Sequence, residues 1–330
     1  MTPRARLACR AVVPALLAAC AAAGPASAAP RVPRYDHVFV IVEENRRHDA
    51  VIGNPAAPTI NHLAGTYGLA TRYYGVVRPS QGNYVAMLAG SFFGIRDNRP
   101  HVLDRESLVD QLDAAGISWK GYFQSIPSTG FLGACAPEPC TPSSGLYVAK
   151  HNPFVTFDGV RSSDRARRRL VSDGQLFRDL ESGRIPRFAL IVPDQCHDMH
   201  GAPPHCAAPT TAARDARLLR RADDYVARVV GEIMASRAWA DRRTAIVITW
   251  DEGTTTSGCC GADPGGGRIP TIVVTSRGPR GVRDATPYNH YSLLASIERA
   301  FGLECLRRAC DAPGVQPMAR LFADRQAAGR

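Results

Sequence analysis

Ile246 to Trp250 is an uncharged apolar run that ends directly in Asp251 and Glu252, and the same kind of junction recurs along the chain. His37 to Val42 runs into Glu43, Glu44 and Asn45; Phe188 to Val192 runs into Pro193 and Asp194, then His197, Asp198, Met199 and His200. A further run, Thr271 to Thr275, has the same apolar character. Short continuous apolar stretches suit strands buried on both faces, as in a parallel sheet covered by helices. Helical patterns lie between them, over Ser107 to Ala115, Asp215 to Ser236 and Ser292 to Phe301. Strand runs alternating with helical runs predict an α/β fold with a mostly parallel central sheet and helices on both faces.

In open α/β sheets, ligands bind beyond the carboxyl ends of the strands. Taken singly, an acid after a strand is an ordinary turn residue or helix cap. Three such ends, two of them with adjacent acids, point instead to one shared crevice. Packed carboxylates repel one another, and a divalent cation removes that cost; Asp, Glu, Asn and His supply the ligand atoms it takes. Ser80 lies in the segment Arg78 to Tyr84, just before the apolar helical stretch Val85 to Ala89. Alone it reads as an N-cap. Beside a cation it can act as a nucleophile toward phosphorus, with helix N–H groups and the helix dipole holding phosphate oxygens.

The 330 residues, 45% hydrophobic, allow a large core in one domain or two. No internal repeat or low-complexity linker divides the chain, which favours a single domain over residues 29–330. The first 28 residues differ: Arg4, Arg6 and Arg10 precede an apolar run from Ala11 to Ala23 and then Ala26-Ser27-Ala28, the pattern of a secretory signal peptide. Leu17 to Cys20 also reads as a lipobox, in which Cys20 would carry lipid. A secreted or cell-envelope location follows. No later segment has the roughly 18 consecutive apolar residues of a membrane span.

Removing the signal takes away three Arg and no acid, so the formal charge falls from +10 to +7, which suits anionic ligands. Lys120 and Lys150 are the only lysines. A chain whose positive charge is nearly all Arg shows compositional bias, which argues against a nucleic-acid role, and Arg161 to Arg169 reads as a solvated face. Eight cysteines remain, an even number that favours disulfides in an exported chain. Cys135 with Cys140, Cys196 with Cys206, and Cys305 with Cys310 would close small loops; Cys259 and Cys260 would then join each other, or the pairings are mixed. Thiolate zinc binding is the rival, without any two-residue cysteine spacing to support it.

The stretches HVFVIVEENR (37–46), PSQGNYVAMLAG (79–90), KHNPF (150–154), IVPDQCHDMHG (191–201), TAIVITWDEG (244–253) and TPYNHYSLLASIERAFGL (286–303) together resemble the phosphoesterase family of secreted acid phosphatases and phosphocholine-preferring phospholipases C. That family is a branch of the alkaline-phosphatase-like superfamily. Shorter members, including phosphatidylinositol-3-phosphatases, are more similar than the longer phospholipases. The resemblance implies a divalent metal held by Glu44, Asn45, Asp251 and Glu252, with Ser80 completing the shell as nucleophile. It implies that Asn83 hydrogen-bonds a phosphate oxygen and that His151 and His200 contact the phosphoryl group, one of them protonating the leaving alcohol. Asp198 would orient a neighbour, and His290 stands where the family also has a histidine. This chain departs from the family at Arg47 and Arg78, which could meet a second anionic group, at Gly82, where Pro is common, and at Gly201, where Asp is usual.

The implied activity is phosphate monoester hydrolysis through a serine phosphoenzyme, with a phosphoinositide headgroup as one substrate. A histidine acting as acid would place the optimum at mildly acidic pH. Two alternatives stand beside it: a phospholipase C splitting a phosphodiester, and an exported protein that binds a metal or anion without turning anything over.

Overall fold

The computed structural model of the protein describes residues 31–324; the signal peptide and Cys20 lie outside the described residues. The strands are β1 (His37–Glu43), β2 (Gly68–Tyr74), β3 (Trp119–Phe123), β4 (Cys135–Ala136), β5 (Tyr147–Val148), β6 (Leu170–Ser172), β7 (Phe188–Val192), β8 (Thr244–Trp250), β9 (Arg268–Thr275), β10 (Val282–Asp284) and β11 (Tyr288–Asn289). Nine of them form one sheet in the order β10-β2-β9-β8-β1-β7-β3-β6, with β11 continuing along β2; β4 and β5 pair separately. The pairings among β8, β1, β7, β3 and β6 are parallel. Only β9 runs against its neighbours β8 and β2. Every residue of β7 and β8, and all but the first of β1, is buried, so the central strands are covered on both faces.

Register carries the functional consequence. Ile41 of β1 lies opposite Ile191 of β7 on one side and Ile248 of β8 on the other, and Glu43 lies opposite Trp250. Strands that are parallel and in step end at the same edge. Glu44, Pro193-Asp194 and Asp251-Glu252 therefore leave the sheet side by side although Glu44 stands 150 positions before Asp194, and Asp194 57 positions before Asp251.

The helices start where capping chemistry permits. Leu108–Ala114 begins behind Ser107, which forms a capping box with Asp110. Thr211–Ala235 begins four residues earlier than its apolar periodicity suggests, because the Thr210 hydroxyl accepts the Ala213 N–H at 3.1 Å. His290–Phe301 is capped by Asn289. The helix Ser80–Ala89 is different: its cap position is Pro79, and Ser80 is its first helical residue. Ser80 is thus not an N-cap, and its hydroxyl is directed elsewhere. All ten residues of this helix are buried.

The four cysteine pairs are disulfides: Cys135–Cys140, Cys196–Cys206, Cys259–Cys260 and Cys305–Cys310. Bonded sulfurs cannot serve as thiolate ligands, which removes the zinc alternative.

Candidate active site

The helix start at Ser80 meets the β1 and β8 ends. The Ser80 hydroxyl donates to Glu44 Oε2 at 3.2 Å, and it also favours the charged form of Asp251. Asn45 adopts a left-handed conformation, φ 52°, which asparagine tolerates better than most residues. This bend lets the Asn45 backbone N–H donate to Asp251 Oδ1 at 2.9 Å while its Nδ2 donates to Glu44 Oε2 at 2.8 Å. The Asp251 N–H in turn donates to the Glu43 carbonyl at 3.0 Å. Glu44, Asn45, Ser80 and Asp251 thereby form one bonded group, with Glu252 beside it, and all but Asn45 are fully buried.

The loop after β7 closes the other side. The Glu44 N–H donates to the Asp198 carbonyl at 2.7 Å. His151 lies between two carboxylates, Nε2 at 3.1 Å from Glu44 Oε1 and Nδ1 at 3.3 Å from Asp198 Oδ2, with its ring stacked on Tyr84. Asp198 Oδ1 accepts the His200 N–H at 2.8 Å. The ring of His200 has a fixed tautomer: Nδ1 donates to the Gly201 carbonyl at 2.8 Å, leaving Nε2 to accept from Lys150 Nζ at 3.1 Å. Gly201 itself sits at φ +89°, a conformation that an Asp there would adopt only under strain.

Lys150 is the functional residue that the sequence reading passed over. It is 6% exposed and is the buried cation of the cluster, lowering the pKa of Glu44, Asp198, Asp251 and Glu252 and opposing protonation of His151 and His200. A signal was available, since it is one of two lysines and directly precedes His151.

Burial dominates the electrostatics. It pushes the Glu44 and Asp198 carboxyls well above the usual range, raises Asp251, and raises Glu252 to about 8. The neighbouring carboxylates add to it, Asp251 on both Glu44 and Glu252. His151 is held well below its ordinary value by burial first, then by Lys150 and His200; its two carboxylate neighbours do not reverse this, because their own protonated forms are favoured. His200 is lowered to about 4 by burial and Lys150, so its imidazole is neutral at mildly acidic pH. Lys150 Nζ stands beside it, 3.1 Å from Nε2.

Several buried carboxylate oxygens have no hydrogen-bond donor: Asp251 Oδ2, Glu252 Oε2 and both oxygens of Glu43; Glu44 Oε1 and Asp198 Oδ2 have only the poorly aligned ring nitrogens of His151 beside them. Leaving such atoms unpaired is costly. Hard oxygen donors in this number fit a divalent cation. The ligand atoms of Glu44, Asp251 and Glu252 do not all lie within 4.8 Å of one another; among the described residues only those of Cys135, Glu138 and Cys140 do, and those cysteines are bonded to each other.

Asn83, expected at a phosphate oxygen, and His290, expected only to match a family histidine, both make hydrogen bonds within the chain. Asn83 Oδ1 accepts the N–H groups of Val76 and Val77 at 2.8 and 3.2 Å, and Nδ2 donates to the Val77 carbonyl at 2.8 Å. It shapes the loop ahead of Ser80. His290 uses both ring nitrogens, Nε2 on the Asp251 carbonyl at 2.6 Å and Nδ1 on the Tyr73 hydroxyl at 3.2 Å, and burial lowers it to about 4. It braces the Asp251 backbone. Arg78 pairs with Glu252 at 3.7 Å and donates to the Gly253 carbonyl, and Arg47 pairs with Asp49 at 2.9 Å, so both arginines have partners within the chain.

The largely parallel sheet covered by helices is shared with solved structures, one of them described as a protein of the alkaline phosphatase superfamily. A superfamily protein from Vibrio parahaemolyticus aligns with a TM-score of 0.55 at 11% identity, covering 86% of this chain and 72% of that one. The phosphonate monoester hydrolase of Agrobacterium radiobacter aligns with a TM-score of 0.57 at 12% identity, covering 89% and 79%. The fold is that of this superfamily. Within it, residues 54–304 match the pattern of the phosphoesterase family, and the chain belongs to that family. It is 29% identical to the phosphatidylinositol-3-phosphatase of Mycobacterium tuberculosis over 87% of this chain and 84% of that protein. It is 29% identical to a probable acid phosphatase of Kluyveromyces lactis over 83% of its own length, spanning 60% of the yeast protein.

Proposed function

We propose that the protein is an exported, metal-dependent phosphoric monoester hydrolase that works through a phosphoserine at Ser80. The observation that carries this reading is the Ser80 hydroxyl bonded to Glu44 inside a buried group of carboxylates with unpaired oxygens. When bound by Glu44, Asn45, Asp251 and Glu252, a divalent cation supplies the positive charge that lets these acids ionise together and acidifies the serine hydroxyl.

Ser80 Oγ gives its proton to Glu44 Oε2, its hydrogen-bond acceptor, and attacks phosphorus in line with the departing alcohol, with the positive end of the Ser80–Ala89 helix toward the phosphoryl oxygens. Glu44 returns that proton to Ser80, and the attacking water's proton restores Lys150, when the phosphoserine is cleaved. Lys150 adds positive charge opposite the developing negative charge. The leaving alkoxide takes a proton from the Lys150–His200 pair, in which the proton resides on Lys150 and His200 Nε2 holds the ammonium in place. His151, fixed by Tyr84, orients the phosphoryl group, and Asp198 positions both histidines. Water then cleaves the phosphoserine, regenerating the hydroxyl and releasing phosphate.

The substrate class is supported by relatives named as phosphatases, one of them acting on phosphatidylinositol 3-phosphate by its name. Export is supported by the four disulfides, which persist in oxidising compartments. The test compares phosphate release from an aryl phosphate with release from a choline phosphodiester, in wild type and Ser80→Ala. Monoester turnover that the substitution abolishes supports the reading; equal turnover by both proteins, or turnover of the diester alone, refutes it.

A further inference from the structure

Beside the catalytic group lies a separate cavity of about 100 Å³, whose walls include Gln81, Asn98, Arg99, Val102, Lys150 and Arg161. Two of these residues connect it to the chemistry. Gln81 follows Ser80 on the same helix, and Lys150 lies against His200. The cavity therefore shares Lys150 with the catalytic group and reaches the residue that follows the serine on its helix.

Its chemistry is one-sided. Arg99, His101, Lys150 and Arg161 contribute to the lining, and no Asp or Glu does. His101 is held by Asp97 at 2.6 Å, and Arg161 donates to the Val155 carbonyl at 2.9 Å. Arg99 is exposed; its backbone N–H donates to Asp97 Oδ1 at 3.0 Å, and Asp97 is the acid that its charge acts on. Gln81 is 4% exposed, and its Oε1 is buried without a donor. A buried acceptor of this kind is costly unless a hydroxyl reaches it. Val102, Leu132, Pro142 and Val155 make the rest of the wall apolar. A cavity of this size holds only a few heavy atoms, so it suits the part of an alcohol nearest the ester oxygen, with the remainder at the mouth beside Arg99.

We propose that this cavity is the leaving-group subsite and that it selects phosphate monoesters whose alcohol carries free hydroxyls and a second anionic group. Gln81 Oε1 accepts a substrate hydroxyl, Lys150 spans the subsite and the reacting phosphate, and Arg99 meets the second anion. The assignment rests on the phosphomonoesterase reading above. It places recognition of a second anion at Arg99, whereas Arg47 and Arg78 are paired within the chain. A sugar bisphosphate and a phosphoinositide 3-phosphate headgroup share this chemistry.

The test measures kcat/KM for an aryl phosphate, fructose 1,6-bisphosphate and a water-soluble short-chain phosphatidylinositol 3-phosphate. The proteins are wild type, Arg99→Gln, Arg99→Glu and the remote control Arg165→Gln. For at least one of the two doubly anionic substrates, its kcat/KM relative to the aryl phosphate falls about tenfold in Arg99→Gln and further in Arg99→Glu, through KM, and stays constant in Arg165→Gln. A fall with only one of those substrates assigns the subsite to that source. A constant ratio in both Arg99 variants, with aryl phosphate still turned over, overturns the subsite and leaves the phosphatase reading intact. Wild-type protein that releases phosphate from none of the three refutes the phosphatase reading and the subsite with it.

Discussion

Ser80 Oγ and Glu44 Oε2 lie 3.2 Å apart, although one begins a helix and the other directly follows a strand 36 positions earlier. Their meeting requires β1 to stop at the same edge as β8, so that Asn45 can bridge Glu44 to Asp251 and leave the serine facing both acids.

Such crowding makes the protein respond to cations in a particular way. In metal-free protein, Glu44→Gln removes one member of a repelling set while keeping acceptors for Ser80 and Asn45, so its thermal midpoint equals or exceeds that of wild type. Added divalent ion, at about 100 times its dissociation constant, stabilises wild type by roughly 2.7 kcal/mol and the variant by much less. Calorimetry with and without chelator checks both. Turnover falls at least about a thousandfold in the variant.

Lys150→Met leaves His200 buried but without its cationic neighbour. The His200 pKa, held at about 4 by burial and by Lys150, moves upward toward the ordinary histidine value, and kcat drops about a hundredfold or more as the proton source is lost. Titration of the His200 ring by NMR, with Lys150→Arg as the charge-keeping control whose His200 value stays low, separates loss of the cation from a packing defect, which would raise the value in both variants. An unmoved His200 titration contradicts the coupling.

Gly82 stands where the fold leaves no room for a side chain. A Cβ there would meet Val77 Cγ1 at 2.6 Å and the Ile95 carbonyl at 2.7 Å, the latter backbone that cannot swing away. Gly82→Ala therefore destabilises by about 1–3 kcal/mol in denaturant titration and disturbs the loop that Asn83 holds ahead of Ser80.

Glu298, on the helix His290–Phe301, supplies a pH test away from the catalytic group. Burial raises its pKa to about 8, while Oε1 accepts the Leu306 N–H at 2.8 Å and Oε2 has no donor. The folded protein then binds a proton there that the unfolded chain has released, so stability falls as pH rises from about 4.5 to about 8. Glu298→Gln keeps the acceptor for Leu306 and removes the titration. Its stability at pH 8.5 exceeds that of wild type by on the order of 2 kcal/mol, and the difference vanishes near pH 4.

The features written locally were legible in the sequence. β1, β7 and β8 are uncharged runs that end in acids, and those ends were readable as one site because parallel strands in register share an edge. Long-range contacts were not legible. β9 is as apolar as its neighbours, and nothing in Thr271–Thr275 encodes that it runs antiparallel. Arg78 looked available to a ligand until Glu252 and Gly253 came to its side, and Asn83 looked like a phosphate donor until its amide closed on Val76 and Val77. Lys150 was overlooked because a lysine gains meaning only when folding places it beside His200.

The central claim is that Ser80 carries the phosphoryl group. Acid quenching during turnover of an aryl phosphate, followed by mass spectrometry of the peptides, shows a phosphate adduct on Ser80 in wild type and none in Ser80→Ala, which is inactive. Steady turnover with no phosphorylated Ser80, or full activity in Ser80→Ala, would contradict it.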